Sequence, residues 1–193
     1  YKKCGACERK KFCNEENKPM TAYNILRDSE GFYYVFCKLE EIDTVPKFTP
    51  DSEKRRRDLE EYEKRHRQLP FLMSPMITNG ALAIELAFKF LIFKENLEFE
   101  CEHKLDILFL QLPQKYGDEL RTKIYEQIHQ NEESLMKNLN QISNLFVEAR
   151  YSFERDTIGY SNFFTDLVHL VCDYVIDMKK EYIHEEDDIL ADD

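Results

Sequence analysis

Apolar residues recur at helical spacing through most of the chain beyond residue 70. The densest stretch is Thr78-Asn-Gly-Ala-Leu-Ala-Ile-Glu-Leu-Ala-Phe-Lys-Phe-Leu-Ile-Phe93. A helix that is apolar nearly all round belongs at the centre of a core. Ser74-Pro75 supplies its start, because Ser can cap and Pro suits the first turn. A short helix over His103–Leu112 is stopped by Pro113. A third is predicted from about Asp118 to Gln130. A fourth, from Glu132 to Phe153, puts Leu135, Leu139, Ile142, Leu145, Phe146 and Ala149 on one stripe. A fifth, Ser161 to Tyr182, does the same with Phe163, Phe164, Leu167, Leu170, Val171, Tyr174 and Val175. The pattern predicts a mainly α protein, an up-and-down bundle of about five helices over residues 70–185, with an acidic tail at 186–193.

Upstream the period changes. Gly31-Phe-Tyr-Tyr-Val-Phe-Cys37 packs aromatic and β-branched residues together, which is a strand signal. Thr21–Leu26 is its predicted partner, with Arg27 to Gly31 as the turn. Residues 1–43 are therefore expected to form a small Cys-rich β-hairpin unit. Residues 44–69 hold Pro46 and Pro50 and then an almost wholly charged run, Asp51 to Arg67. This reads as a linker and an exposed helix laced with pairs of opposite charge one turn apart.

The chain has 193 residues and is 42% hydrophobic, enough for a real core without disulfide staples. A net charge of −11 argues against a wholesale nucleic-acid binder. The basic stretches Lys54–Arg57 and Lys64–Arg67 leave room for a local RNA contact, although the carboxylates between them favour a solvated helix. No membrane span is expected, because the run from Gly80 to Phe93 is short and broken by Glu85 and Lys89. The first residue is Tyr1 rather than Met, so an upstream segment is not excluded. Six cysteines are too sparse for a secreted disulfide scaffold of this length, which points to a cytoplasmic protein. Cys4, Cys7, Cys13 and Cys37 supply four thiolates for a structural zinc ion. A redox Cys-x2-Cys or free thiols are the alternatives.

Three segments resemble the HEPN (higher eukaryotes and prokaryotes nucleotide-binding) superfamily. They are Asn79–Ile92, the H-x-L-x-x-L-F segment His103–Phe109, and Phe146-Val-Glu-Ala-Arg-Tyr-Ser-Phe-Glu154, which is similar to an R-Y-x-x-E element. The resemblance implies a HEPN-like bundle, a homodimer, and a place in a prokaryotic defence or toxin–antitoxin type system. It implies binding of RNA, a nucleotide or a cognate antitoxin protein. Many members are metal-independent ribonucleases whose signature is an Arg followed, after four to six residues, by a His. Arg155-Asp156 offers the first half, but Tyr160, Ser161 and Asn162 follow where the His belongs. Binding without cleavage is therefore the expectation. The alternative is a divergent endoribonuclease using Arg150 or Arg155 with Tyr160 or Glu85 as acid–base group.

The candidate ligand site is Glu85, Lys89, Arg150, Glu154 and Arg155. Glu85 and Lys89 lie one turn apart on an apolar helix, where charges are costly unless paired. They read either as an intrahelical pair at the core edge or as a cleft lining opposite Arg150. Arg150 and Glu154 share the same spacing and read either as a surface salt bridge or, beside Tyr151 and Phe153, as a bidentate phosphate site. His103 reads as packing at a helix start, and His129 and His184 as facing solvent. The apolar surplus on helices 79–93 and 161–175 is the sequence argument for a homodimer.

Overall fold

The run centred on Thr78–Phe93 does become the middle of the fold. The computed structural model describes residues 22–43, 50–68, 72–95, 102–150 and 162–190, the side chains at 43, 65–68, 145–150 and 180–190 excepted. These form α1 (Ala22–Asp43), α2 (Ser52–Gln68), α3 (Met73–Lys94), α4 (Leu105–Leu110), α5 (Gln114–Ile128), α6 (Glu132–Arg150) and α7 (Asn162–Leu190). No strand occurs among the described residues.

On α3, Met76, Ile77, Ala83, Ile84, Ala87, Phe88, Phe90 and Leu91 are fully buried. Helices α1, α4, α6 and α7 all pack on it. By length and composition α3 would cross a membrane, with a mean hydropathy of 1.6, and 72% of that window is buried inside this fold. Most of its apolar surface is covered by α1, α4, α6 and α7, as in the core helix of a packed bundle.

The β-hairpin expected within residues 21–37 is replaced by α1, which runs unbroken through the predicted turn. Its apolar residues also fit a helical period. Ala22, Ile25, Leu26, Ser29 and Phe36 are buried on one face and belong, Ser29 aside, to the same core cluster as α3 and α7. Aromatic density is a statement about half-buried surfaces more than about backbone preference, and α3 supplies such a surface to a helix. Gly31 sits in the helix without a positive φ, so no turn forms there.

Capping follows the sequence in part. Asp51 Oδ1 accepts the N–H groups of Glu53 and Lys54 at 3.0 and 3.0 Å, which caps α2. Asn131 Oδ1 accepts the Ser134 N–H at 2.9 Å at the start of α6. Ser74, expected to cap α3, lies inside it, and Leu72 holds the N-cap position without a side-chain bond. Pro113 separates α4 from α5, as predicted. His129 ends α5 in the left-handed region, at φ 58°.

Long-range contacts set the helix directions. Ser29 Oγ donates to the Ala83 carbonyl at 2.8 Å. Glu30 pairs with Lys179, Tyr33 with Asp173 and Glu40 with His169, so α1 and α7 are antiparallel. At Gly80 the three helices α1, α3 and α7 meet. A Cβ there would stand 2.7 Å from Phe164 Cζ and 3.0 Å from both Phe36 Cδ2 and Val168 Cγ2. Phe36 and Phe164 interlock edge to face, with centroids 6.0 Å apart. Gly80→Val should therefore lower stability by about 1–3 kcal/mol through overpacking. Gly31→Ala, in open space on a helix, should raise it by about 1 kcal/mol. Urea denaturation of both variants checks the contrast, and equal shifts would contradict the packing at Gly80.

Candidate functional site

Glu85 and Lys89 are the charged residues buried on α3, with 6% and 10% of their side chains exposed. Their spacing puts them on one face, and Lys89 Nζ donates to Glu85 Oε1 at 2.6 Å. The intrahelical pair read from the sequence is therefore formed. A second group joins it. His103 Nδ1 lies 2.8 Å from the same oxygen, and 55% of the His103 side chain is exposed. Because a carboxylate oxygen only accepts, Nδ1 carries the proton in this contact. The ring is thus oriented, and as a neutral imidazole it keeps the Nε2 lone pair for other work. His103 does more than pack at a helix start.

The segment is anchored just beyond His103. The Leu105 N–H donates to Ser143 Oγ at 2.8 Å, and Ser143 donates in turn to the Leu139 carbonyl at 2.9 Å. Asn140 Nδ2 donates to Asp106 Oδ2 at 3.0 Å. The other Asp106 oxygen, Oδ1, is buried without a hydrogen-bond partner among the described residues. These contacts run α6 against α4. Since His103 meets Glu85 and Phe109 meets Phe88, α4 runs along α3 in the same direction. The Arg150 end of α6 therefore points toward the start of α3, roughly 10 Å beyond the level of Ser143. The Arg150 side chain, and Glu154 and Arg155 entirely, lie outside the described residues.

A second polar cluster went unread in the sequence. Tyr33 Oη donates to Asp173 Oδ1 at 2.9 Å and lies 2.8 Å from His169 Nδ1. His169 Nε2 lies 2.8 Å from Glu40 Oε2. A carboxylate only accepts, so Nε2 donates to Glu40, while the Tyr33 hydroxyl is shared among His169, Asp173 and Cys37. Burial first, then the Asp173 bond, pushes the Tyr33 hydroxyl far above its ordinary range. Both ring nitrogens are engaged, and the cluster acts as a clasp between α1 and α7. The signal that would have found it is the helical spacing of Glu30, Tyr33, Cys37 and Glu40, hidden once residues 31–37 were read as a strand.

Cys37 sits on that same face of α1, not on a hairpin. Its thiol is pushed up by burial and by the charges of Glu40, Asp173 and Glu41, while a hydrogen bond from Tyr33 works the other way. Cys4, Cys7 and Cys13 lie outside the described residues. Among the described residues no three His, Cys, Asp or Glu side chains form a metal-sized group. The apolar residues of α3 and α7 that suggested a dimer are buried within the chain, with α1 supplying part of the cover. Comparison with protein-family models, curated proteins and solved structures found no match to this chain.

Lys89→Met should destabilise the protein by about 3 kcal/mol, because it leaves a buried carboxylate without its cation and with the His103 N–H as its remaining side-chain donor. Adding Glu85→Leu should recover most of that loss, and a double variant as unstable as the single would contradict the pairing. Because its thiol is raised, Cys37 should be alkylated by iodoacetamide at pH 8 more slowly than an ordinary free thiol. Peptide mapping by mass spectrometry reads this at Cys37 alone. A burst of labelling there on adding chelator would instead mark Cys37 as a zinc ligand.

Proposed function

We propose that this chain is a HEPN-like binding protein of a prokaryotic defence or toxin–antitoxin type system, holding RNA or a nucleotide without cutting it. The observation that carries the reading is the donor group around Glu85. Lys89 and His103 converge on one buried oxygen, and the His103 ring, aligned by that bond, is exposed. A protonated ring in this setting offers an N–H to a phosphate oxygen. Arg150, on the helix that packs beside α3, is the residue proposed to add the bidentate grip. The missing His after Arg155 supports retention over cleavage. A structural zinc ion held by Cys4, Cys7, Cys13 and Cys37 belongs to the same proposal, and there Cys37 would exchange its Tyr33 contact for the metal. A cognate antitoxin protein is the remaining proposed partner.

A second reading has one specific observation in its favour. A carboxylate that orients a histidine whose side chain is 55% exposed is an arrangement that suits a general acid–base. In that reading the protein is a divergent, metal-independent ribonuclease with His103 as proton carrier.

Titration of the full chain with labelled single-stranded RNA and with ATP separates the two. Binding should be saturable and leave the RNA intact. Arg150→Ala and His103→Ala should each weaken it about tenfold or more; Arg150→Ala should change the melting temperature little, whereas His103→Ala, which removes a donor from buried Glu85, should also lower it. RNA shortened by the native chain and spared by His103→Ala would establish the ribonuclease instead. Absence of both binding and cleavage would overturn both readings.

A further inference from the structure

His103 differs from the other histidines whose side chains are described. His169 has both ring nitrogens engaged, one at Tyr33 and one at Glu40. His129 ends α5, is exposed, and bonds no carboxylate among the described residues. His103 combines a carboxylate at one nitrogen with a second nitrogen that makes no hydrogen bond among the described residues. Its Nδ1 lies 2.8 Å from Glu85 Oε1, and more than half of its side chain is exposed. The backbone beneath the ring is held as well. Glu102 Oε1 accepts the N–H groups of His103 and Lys104 at 2.8 and 2.9 Å, and Ser143 Oγ accepts that of Leu105 at 2.8 Å. Three successive N–H groups are bound, so both the ring and the segment that carries it are fixed before any ligand arrives.

We propose that Nε2 of His103 is a nucleophile that accepts a phosphoryl group from an acyl phosphate. Histidine is among the side chains that form covalent intermediates, and it attacks through an unprotonated nitrogen. The bond to Glu85 keeps the single proton of the neutral ring on Nδ1 and so leaves the lone pair at Nε2. That lone pair forms the N–P bond while the P–O bond to the acyl group breaks. The electron pair departs with the carboxylate leaving group, so no proton has to be supplied. The ring becomes a cation that still carries Nδ1–H, and the buried Glu85 carboxylate stabilises that charge as it develops. Lys89 donates to the same oxygen at 2.6 Å and holds the carboxylate in place. Exposed Lys104 follows His103 directly and places a positive charge beside the ring in an acidic chain. The donor class follows from the site. Nδ1–H and the Lys89 ammonium both donate to Glu85, so the leaving group must depart unprotonated, as the carboxylate of an acyl phosphate does.

The transfer uses His103 but does not depend on the proposed binding of RNA or a nucleotide, so either can fail alone. The full chain, incubated with acetyl phosphate at neutral pH, should gain the mass of one phosphoryl group. Peptide mapping should place that group on His103 and leave His129 unmodified. The adduct should survive alkali and be lost in acid, as an N–P bond is, and phosphorus NMR should show attachment through Nε2. His103→Gln should abolish the gain. Lys89→Met combined with Glu85→Leu keeps the core filled and frees Nδ1. This double variant should slow the transfer about tenfold and divide the product between Nε2 and Nδ1, a change of linkage that lost stability alone does not produce. Circular dichroism controls for folding, and the preference of the native chain for His103 over His129 stays decisive if the double variant unfolds. Absence of N-linked phosphate on His103, labelling of His129 as fast as His103, or attachment at Nδ1 in the native chain overturns the proposal.

Discussion

The closeness of α1 to α3 is the constraint on which the rest of the structure depends. It is possible because Gly80 has no side chain. The rings of Phe36 and Phe164 and the Val168 methyl occupy the space a Cβ would need. With α1 in that position, α3 is packed by α1, α4, α6 and α7, and of its apolar residues Leu82, Leu86 and Phe93 stay half-buried. The hydrogen bond from Ser29 to the Ala83 carbonyl fixes how far α1 slides along α3. Apolar burial is non-directional, so polar contacts of this sort are what select one register among several that would bury similar area.

The same division of labour holds elsewhere. Lys179 to Glu30, Tyr33 to Asp173 and His169 to Glu40 set α7 against α1 at three levels. Leu105 to Ser143 and Asn140 to Asp106 set α4 against α6. These contacts join different helices, although Ser143 also donates to the Leu139 carbonyl of its own helix and Asp106 Oδ1 has no partner among the described residues. Inside α3, Glu85 is held by Lys89 of its own helix and by His103 from the segment leading into α4. A helix placed at the centre of a fold can keep a carboxylate only if its desolvation is offset by such donors. The cost of burying Glu85 and the orientation of His103 are two sides of one contact.

The two histidines are held differently. His169 is half-buried against Glu40 and the rings of Tyr33 and Phe36, with both nitrogens engaged, so it is spent on holding helices together. His103 is fastened at one nitrogen, and its side chain is 55% exposed. Helix α2 stands apart from the packed pairs. Arg55, Arg56, Arg57, Glu60, Glu61 and Glu63 are exposed, and Arg56 with Glu60 at 3.7 Å is the opposite-charge pairing that its sequence suggests.

Local pattern determined much of this protein. The central helix, the stop at Pro113, the charged helix and the four helices beyond Leu105 were all legible, because a repeat of 3.6 residues is visible within a single segment. So was the Glu85–Lys89 pair, whose partners sit one turn apart. The sequence misled at residues 22–37. Phe32, Tyr33, Tyr34, Val35 and Phe36 satisfy the composition of a strand and the spacing of a helix at once, and only the surface offered by α3 and α7 chose between them. Sequence also had no access to Tyr33 with His169 or to Glu85 with His103. Those pairs are 136 and 18 residues apart, and what joins them is the approach of two faces in space, which no local period records.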